Sequence, residues 1–178
     1  MACDLRSKKL GYAVFEFPSE MQLVDWGSRR FYERRGSKPA LADLLHLIHP
    51  SVLVMRKFST GSSRESAHIG KMVSKVVKEA RVTKTPIAWL SEERLTQFFE
   101  KSGITTKQQV AASMAELFPE IAWKLPSPRK SWQPEHWRMP LFDAIALGFG
   151  YFVLKMGPTD ANRMITLDKP FQRLPRDV

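Results

Sequence analysis

Cysteine is nearly absent from this chain: 178 residues contain one, Cys3. A single thiol excludes an internal disulfide and a zinc site built on several cysteines. No run of 18 apolar residues occurs, which excludes an apolar membrane-spanning helix. The opening segment, Met1 to Lys9, has no apolar stretch of the kind a secretory signal needs. These absences set the expectation of a cytoplasmic protein. No P-loop, dinucleotide fingerprint, Gly-x-Ser-x-Gly elbow or zinc spacing is present. His46 and His49 stand three apart without a third ligand nearby and read as cations at a helix end. Acid is scarce as well, and residues 44–64 contain no Asp or Glu.

What the chain has in surplus is positive charge. Lys and Arg number 28 against 18 Asp and Glu, for a net charge of +10, and the pI is about 9.9. On a domain of this size that surplus favours a polyanionic partner, nucleic acid first and an anionic membrane surface second. Apolar residues make up 43% of the chain, enough for a folded domain with its own core.

The order of elements follows from periodicity and punctuation. Residues 11–17 and 22–27 read as paired strands about a turn at Pro18-Ser19-Glu20. If Asp4 ends a first strand, the chain opens with a three-stranded meander. Arg29, Arg30, Arg34 and Arg35 follow in a polar loop. A helix is expected from Pro39 to His49, with Ser37 as its N-cap, and then a buried strand within 51–58. Residues 63–80 carry Ile69, Met72, Val73, Val76, Val77 and Ala80 at helical spacing. Arg64, His68, Lys71, Lys75 and Lys78 line the opposite face, as a phosphate track or as a solvated face. A strand at 86–90, a helix capped by Ser91, and a helix with a Thr105/Gln108 capping box come next. Residues 121–138 form a connection rich in proline and tryptophan, with Trp123, Trp132 and Trp137 expected to pack beneath it, the alternative being that exposed rings stack on bases. The last helix runs from Met139-Pro140 to about Lys155. Residues 1–156 form one domain, and 157–178 read as an irregular tail.

Two acids stand out. Asp4 leaves a short apolar strand and is followed by a basic turn, Arg6, Ser7, Lys8 and Lys9. A carboxylate ringed by cations suits a magnesium ion facing a phosphate backbone, and equally suits an exposed loop start. Asp143 lies in a helix apolar nearly all round, where an unpaired carboxylate is expensive. A metal, a buried cation or a role at the helix N-terminus can satisfy it. Glu135, with His136 and Arg138, makes a polar patch just before that helix, as a third ligand or as a surface ion pair.

Taken together, these pieces resemble a known family. Asp-x-Arg-Ser-x-x-x-Gly-Tyr-Ala-Val at 4–14 resembles the first motif of RuvC-type Holliday junction resolvases, in the ribonuclease H-like superfamily. Val52 to Phe58 resembles that family's central strand, the helix at 63–80 the helix after it, and Phe-Asp-Ala-Ile-Ala-Leu at 142–147 the C-terminal acidic helix. The resemblance implies an α/β fold: a mixed sheet, three-stranded antiparallel meander plus parallel strands, covered by helices on both faces. It implies a homodimer that cuts branched DNA with Mg2+ or Mn2+, with Asp4 and Asp143 as catalytic metal ligands and Glu135 standing in for a further acid. Arg6, Lys8, Lys9, Arg29, Arg30, Arg64, Lys71, Lys75 and Lys78 would contact nucleic acid.

One departure bears on activity. The family carries a metal-binding Glu on its central strand, and that position falls on Arg56. An arginine between Asp4 and Asp143 would form charge-assisted bonds and fill the site itself. Three readings follow: a magnesium-dependent DNA endonuclease, a catalytically silent DNA- or RNA-binding module on the same scaffold, and an RNA-processing nuclease.

Overall fold

In the computed structural model the described residues are 1–6, 9–17, 20–31, 40–57, 64–130 and 132–156, with the side chains of 64–66 and 156 left aside. The expected Pro18-Ser19 turn, the Ser37 cap and Pro39, Arg34 and Arg35, Lys8 and the tail 157–178 lie outside them.

Among the described residues, five strands form one sheet: β1 (Ala2–Leu5), β2 (Lys9–Glu16), β3 (Gln22–Arg30), β4 (Leu53–Lys57) and β5 (Ile87–Ser91). Their order is β3-β2-β1-β4-β5. The first three are antiparallel, while β4 and β5 run parallel to β1. The expected mixed sheet is therefore present. Two boundaries differ here: Lys9, expected in the basic turn, begins β2, and Arg29 and Arg30, expected in a loop, extend β3 and pair with Leu10 and Lys9. Cross-strand pairing with β2 carries the strand past the point where its apolar residues end.

Helices cover both faces, and strand alternation assigns residues to each. Cys3, Leu5, Leu10, Tyr12, Val14, Leu53 and Met55 face α1 (Ala40–Ile48) and α2 (Arg64–Val82), with Leu41, Leu45, Met72 and Val76 in the same core. Ala2, Ala13, Phe15, Val54 and Leu90 face the other way, toward α3 (Glu92–Glu100), α4 (Lys107–Leu117) and α5 (Met139–Met156). Phe142 and Phe149 of α5 are fully buried there, and each such burial stabilises by about 2–3 kcal/mol.

Among the described residues, two helix starts carry side-chain caps. Ser91 accepts from the Arg94 N–H, as expected. The capping box of α4 is Thr106 with Gln109, one residue later than the Thr105/Gln108 pair the spacing indicates. Gln109 Oε1 also accepts from the Thr105 and Thr106 N–H groups. Both registers satisfy the three-residue rule, so spacing alone does not choose between them. A 3-10 turn at Pro119–Lys124 leads into the 121–138 connection toward α5.

Two glycines let α5 approach the sheet. A Cβ on Gly11 would lie 1.8 Å from the Pro140 carbonyl oxygen, inside the backbone of the helix start. A Cβ on Gly148 would meet the Phe15 ring at 2.3 Å. Gly11 is the register partner of Asp4, so the missing side chain admits the first turn of α5 beside Asp4.

Candidate functional site

Asp4, Gly11 and Arg56 share the face of the sheet that α5 covers. Ala2 pairs with Val54 and Cys3 with Met55 across β1 and β4, so the next step along the ladder sets Asp4 beside Arg56. Alternation turns both toward α5, whose Asp143 lies one turn past Pro140. Arg6 follows Asp4 by two residues, and its N–H donates to the Lys9 carbonyl at 2.8 Å to close the β1–β2 turn. The Arg6 guanidinium reaches both acids.

The result is a continuous chain of ion pairs. Arg56 Nε lies 3.1 Å from one Asp4 oxygen, Oδ1, and Arg6 Nε lies 2.8 Å from the other, Oδ2. Arg6 also donates to Asp143 Oδ2. Arg56 Nη1 donates to Glu92 Oε1 at 3.1 Å, from the first turn of α3. The Asp4 side chain is 1% exposed and that of Arg56 11%. The two Nε contacts to Asp4 are close charge contacts without hydrogen-bond alignment, leaving Asp4 Oδ2 and both Nε atoms without a hydrogen-bond partner.

Burial pushes the Asp4 carboxyl up to about 6, with Asp143 adding to the rise and Arg56 and Arg6 opposing it. For Arg6, burial acts to lower the guanidinium, and the charges of Asp4 and Asp143 more than reverse it. Asp4 is therefore ionised at neutral pH and held by two cations.

The sequence-derived residues separate into groups. Asp4, Asp143, Arg6 and Arg56 come together. Arg6, expected at a phosphate, turns to the acids. Asp143 lies just past the first turn of α5 and accepts from Arg6, the cation partner weighed for it. Glu135 pairs with Lys107 at 3.0 Å; burial opposes the ionised form of Glu135, and Lys107 outweighs it to hold the carboxyl below its usual range. Lys9 and Arg30 are cross-strand partners on the face of Asp4, and Arg29 lies on the reverse face with its guanidinium 5.7 Å from the centre of the Tyr12 ring. Lys71, Lys75 and Lys78 lie on the outer side of α2, behind the sheet relative to Asp4. Arg64 begins α2, and Lys8 is outside the described residues. The sequence reading missed Glu92 as a partner for Arg56; its signal was an acid one residue past a strand parallel to that of Arg56.

As arranged, the donor set does not fit a pair of divalent ions. Asp4 is already neutralised by two guanidiniums, and Asp143 shares one of them. Two such ions would bring about four positive charges beside Arg6 and Arg56. Among the described residues, no three His, Cys, Asp or Glu side chains gather as a metal site. Arg56, Glu92, Asp143, Lys107 and Thr106 line a cleft of about 100 Å³, smaller than the ~300 Å³ that small-ligand pockets begin at. A ligand of nucleotide size would have to lie across the surface. No described helix is long and apolar enough to cross a membrane.

The tryptophans were expected to pack under the connection and do not. Trp123, Trp132 and Trp137 are 70%, 75% and 54% exposed. The segment is too short of apolar neighbours to cover them, and cations lie against their rings instead.

No known protein-family profile matches the chain, and no curated protein matches it. Among solved structures, Thermus thermophilus RuvC is similar at 17% identity and a TM-score of 0.58, over 87% of this chain and 94% of that one. Thermus thermophilus RuvC in complex with a Holliday junction substrate gives 16% identity and a TM-score of 0.56, over 87% and 93%. The Fowlpox virus resolvase, in complex with substrate Holliday junction DNA, gives 14% and 0.51, over 85% and 97%. The chain thus has the fold of the RuvC-type, ribonuclease H-like resolvases.

Proposed function

We propose that this protein binds branched nucleic acid, DNA in the first place, and does not cut it. Binding is supported by the net charge of +10 and by the fold it shares with two resolvases solved on Holliday junctions. The absence of cleavage rests on one observation: Arg56 and Arg6 both hold Asp4, and Arg6 bridges to Asp143. A guanidinium is charged at every relevant pH and leaves a buried carboxylate only at a large cost. The acids that would gather divalent ions on this scaffold are instead parts of an ion-pair network that ties β1, β4 and α5 together. Lys9 and Arg30, beside that network, supply the phosphate contacts. A four-way junction has two equivalent sides, so a homodimer is part of the proposal.

The test compares wild type, Asp4→Asn and Arg56→Glu on labelled four-way junction, duplex and single-stranded DNA, with Mg2+ or Mn2+. Junction binding without cleavage by wild type is the expected result. Cleavage appearing in Arg56→Glu would strengthen it by showing that the arginine is what silences the site. Metal-dependent cutting by wild type that Asp4→Asn abolishes would overturn the proposal. Light scattering of the free protein and of the complex reads the dimer.

A further inference from the structure

Three exposed tryptophans remain unexplained by the acid–arginine network. They lie on the connection that leads into α5, and each carries a cation on its ring. Lys124 Nζ is 4.9 Å from the Trp123 ring centre, and Lys130 Nζ is 5.1 Å from that of Trp132. The Arg138 guanidinium stands between two rings, 4.9 Å from Trp137 and 6.0 Å from Trp123. His136 stacks on Trp137 at 5.8 Å with 30° between the planes.

The connection is built to hold this arrangement. Gln133 N–H donates to the Lys130 carbonyl, and Lys130 N–H donates to Gln133 Oε1, both at 3.0 Å, tightening the turn that carries Trp132. The Trp123 indole N–H donates to the Glu120 carbonyl at 3.0 Å, which fixes that ring. His136 Nδ1 accepts from the Arg138 N–H at 3.2 Å. Exposures of 54–75% leave most of each indole open to solvent.

Charge decides between kinds of occupant. Residues 121–138 contain four Lys or Arg and one Asp or Glu, and that one acid, Glu135, is paired with Lys107. Aromatic faces interleaved with cations match unpaired nucleobases on a phosphate backbone: rings stack on the bases while Lys and Arg meet the phosphates. We infer that Trp123, Trp132 and Trp137, with Lys124, Lys130 and Arg138, form a stacking platform for single-stranded nucleic acid. The inference rests on the nucleic-acid reading above and adds to it a site for unpaired bases.

The test measures fluorescence anisotropy of a labelled oligothymidylate and of a blunt DNA duplex, at one fixed salt concentration. Proteins are wild type, Trp132→Ala, Trp137→Ala and the conservative Trp132→Phe. All three rings are exposed, so the variants fold. Each alanine variant should lose about tenfold in oligothymidylate affinity, with duplex affinity changed less than twofold and Trp132→Phe largely restored. Wild-type binding to both probes with unchanged affinities in the alanine variants overturns the platform alone and leaves the face to a protein partner. Equal losses on both probes also overturn it. Wild type binding neither probe at low salt removes the nucleic-acid reading, and the platform with it.

Discussion

Replacing Arg56 by glutamine removes one of the two cations on Asp4 and leaves a carboxylate that is 1% exposed. Taking away one partner of a buried ion pair costs about 3–5 kcal/mol, because the remaining charge stays buried without compensation. Asp4 keeps Arg6 at 2.8 Å, so the low end applies, about 3 kcal/mol. For a domain of this size 1 kcal/mol shifts the midpoint by about 2–4 °C, so the expected fall in Tm is about 6–12 °C. The assay is thermal unfolding followed by circular dichroism at neutral pH, as a cycle with Asp4→Asn. Removing the charge at Asp4 relieves the orphaned state, and the double variant should be less destabilised than the sum of the singles by about 1–3 kcal/mol. Additivity within about 0.5 kcal/mol would show that the two residues do not share energy. The ion-pair account of the silent site would then fail.

Three further outcomes follow from the geometry. Gly11→Ala should cost more than about 3 kcal/mol or abolish soluble protein, because its Cβ would lie 1.8 Å from the Pro140 carbonyl oxygen; denaturant unfolding measures it, and near-wild-type stability would refute the close approach. Burial raises the folded-state Asp4 carboxyl from 3.8 to about 6, so its contribution to stability is full below about 3.8 and is lost as pH rises through about 6. Asp4→Asn should remove that fall from a plot of stability against pH between those values. Lys9→Ala and Arg30→Ala should each reduce the slope of log affinity against log salt by about 1 for duplex DNA, whereas Lys71→Ala and Lys78→Ala, behind the sheet, should leave it unchanged. The opposite pattern would move the phosphate contacts to α2.

Much of the fold was readable from local pattern. The apolar face of α2, Met72, Val76 and Ala80, and the short apolar runs of β1 and β2, buried on both faces, are local signals carried by adjacent residues. Pro50 and Pro119 punctuate them. Errors fell where two local solutions are equivalent or where pairing lies far along the chain. Thr105 and Thr106 offer the same capping chemistry one residue apart. Arg29 and Arg30 look like a loop until β2 supplies a ladder for them. The tryptophans look like core residues by composition, and the neighbours needed to bury them are not in the segment.

The sequence by itself determined the charge of +10, the single thiol, the mixed sheet and the presence of Asp4, Arg56 and Asp143 on elements that could meet. Only the tertiary structure decided what those residues do to one another. Asp4 and Arg6 are two apart, but Arg56 and Asp143 reach them through the parallel register of β4 and through Gly11's opening for α5. Ion pairing depends on distances of a few ångströms between segments far apart in the chain, Arg6 and Asp143 by 137 residues, and no local pattern encodes which partner a buried carboxylate will take.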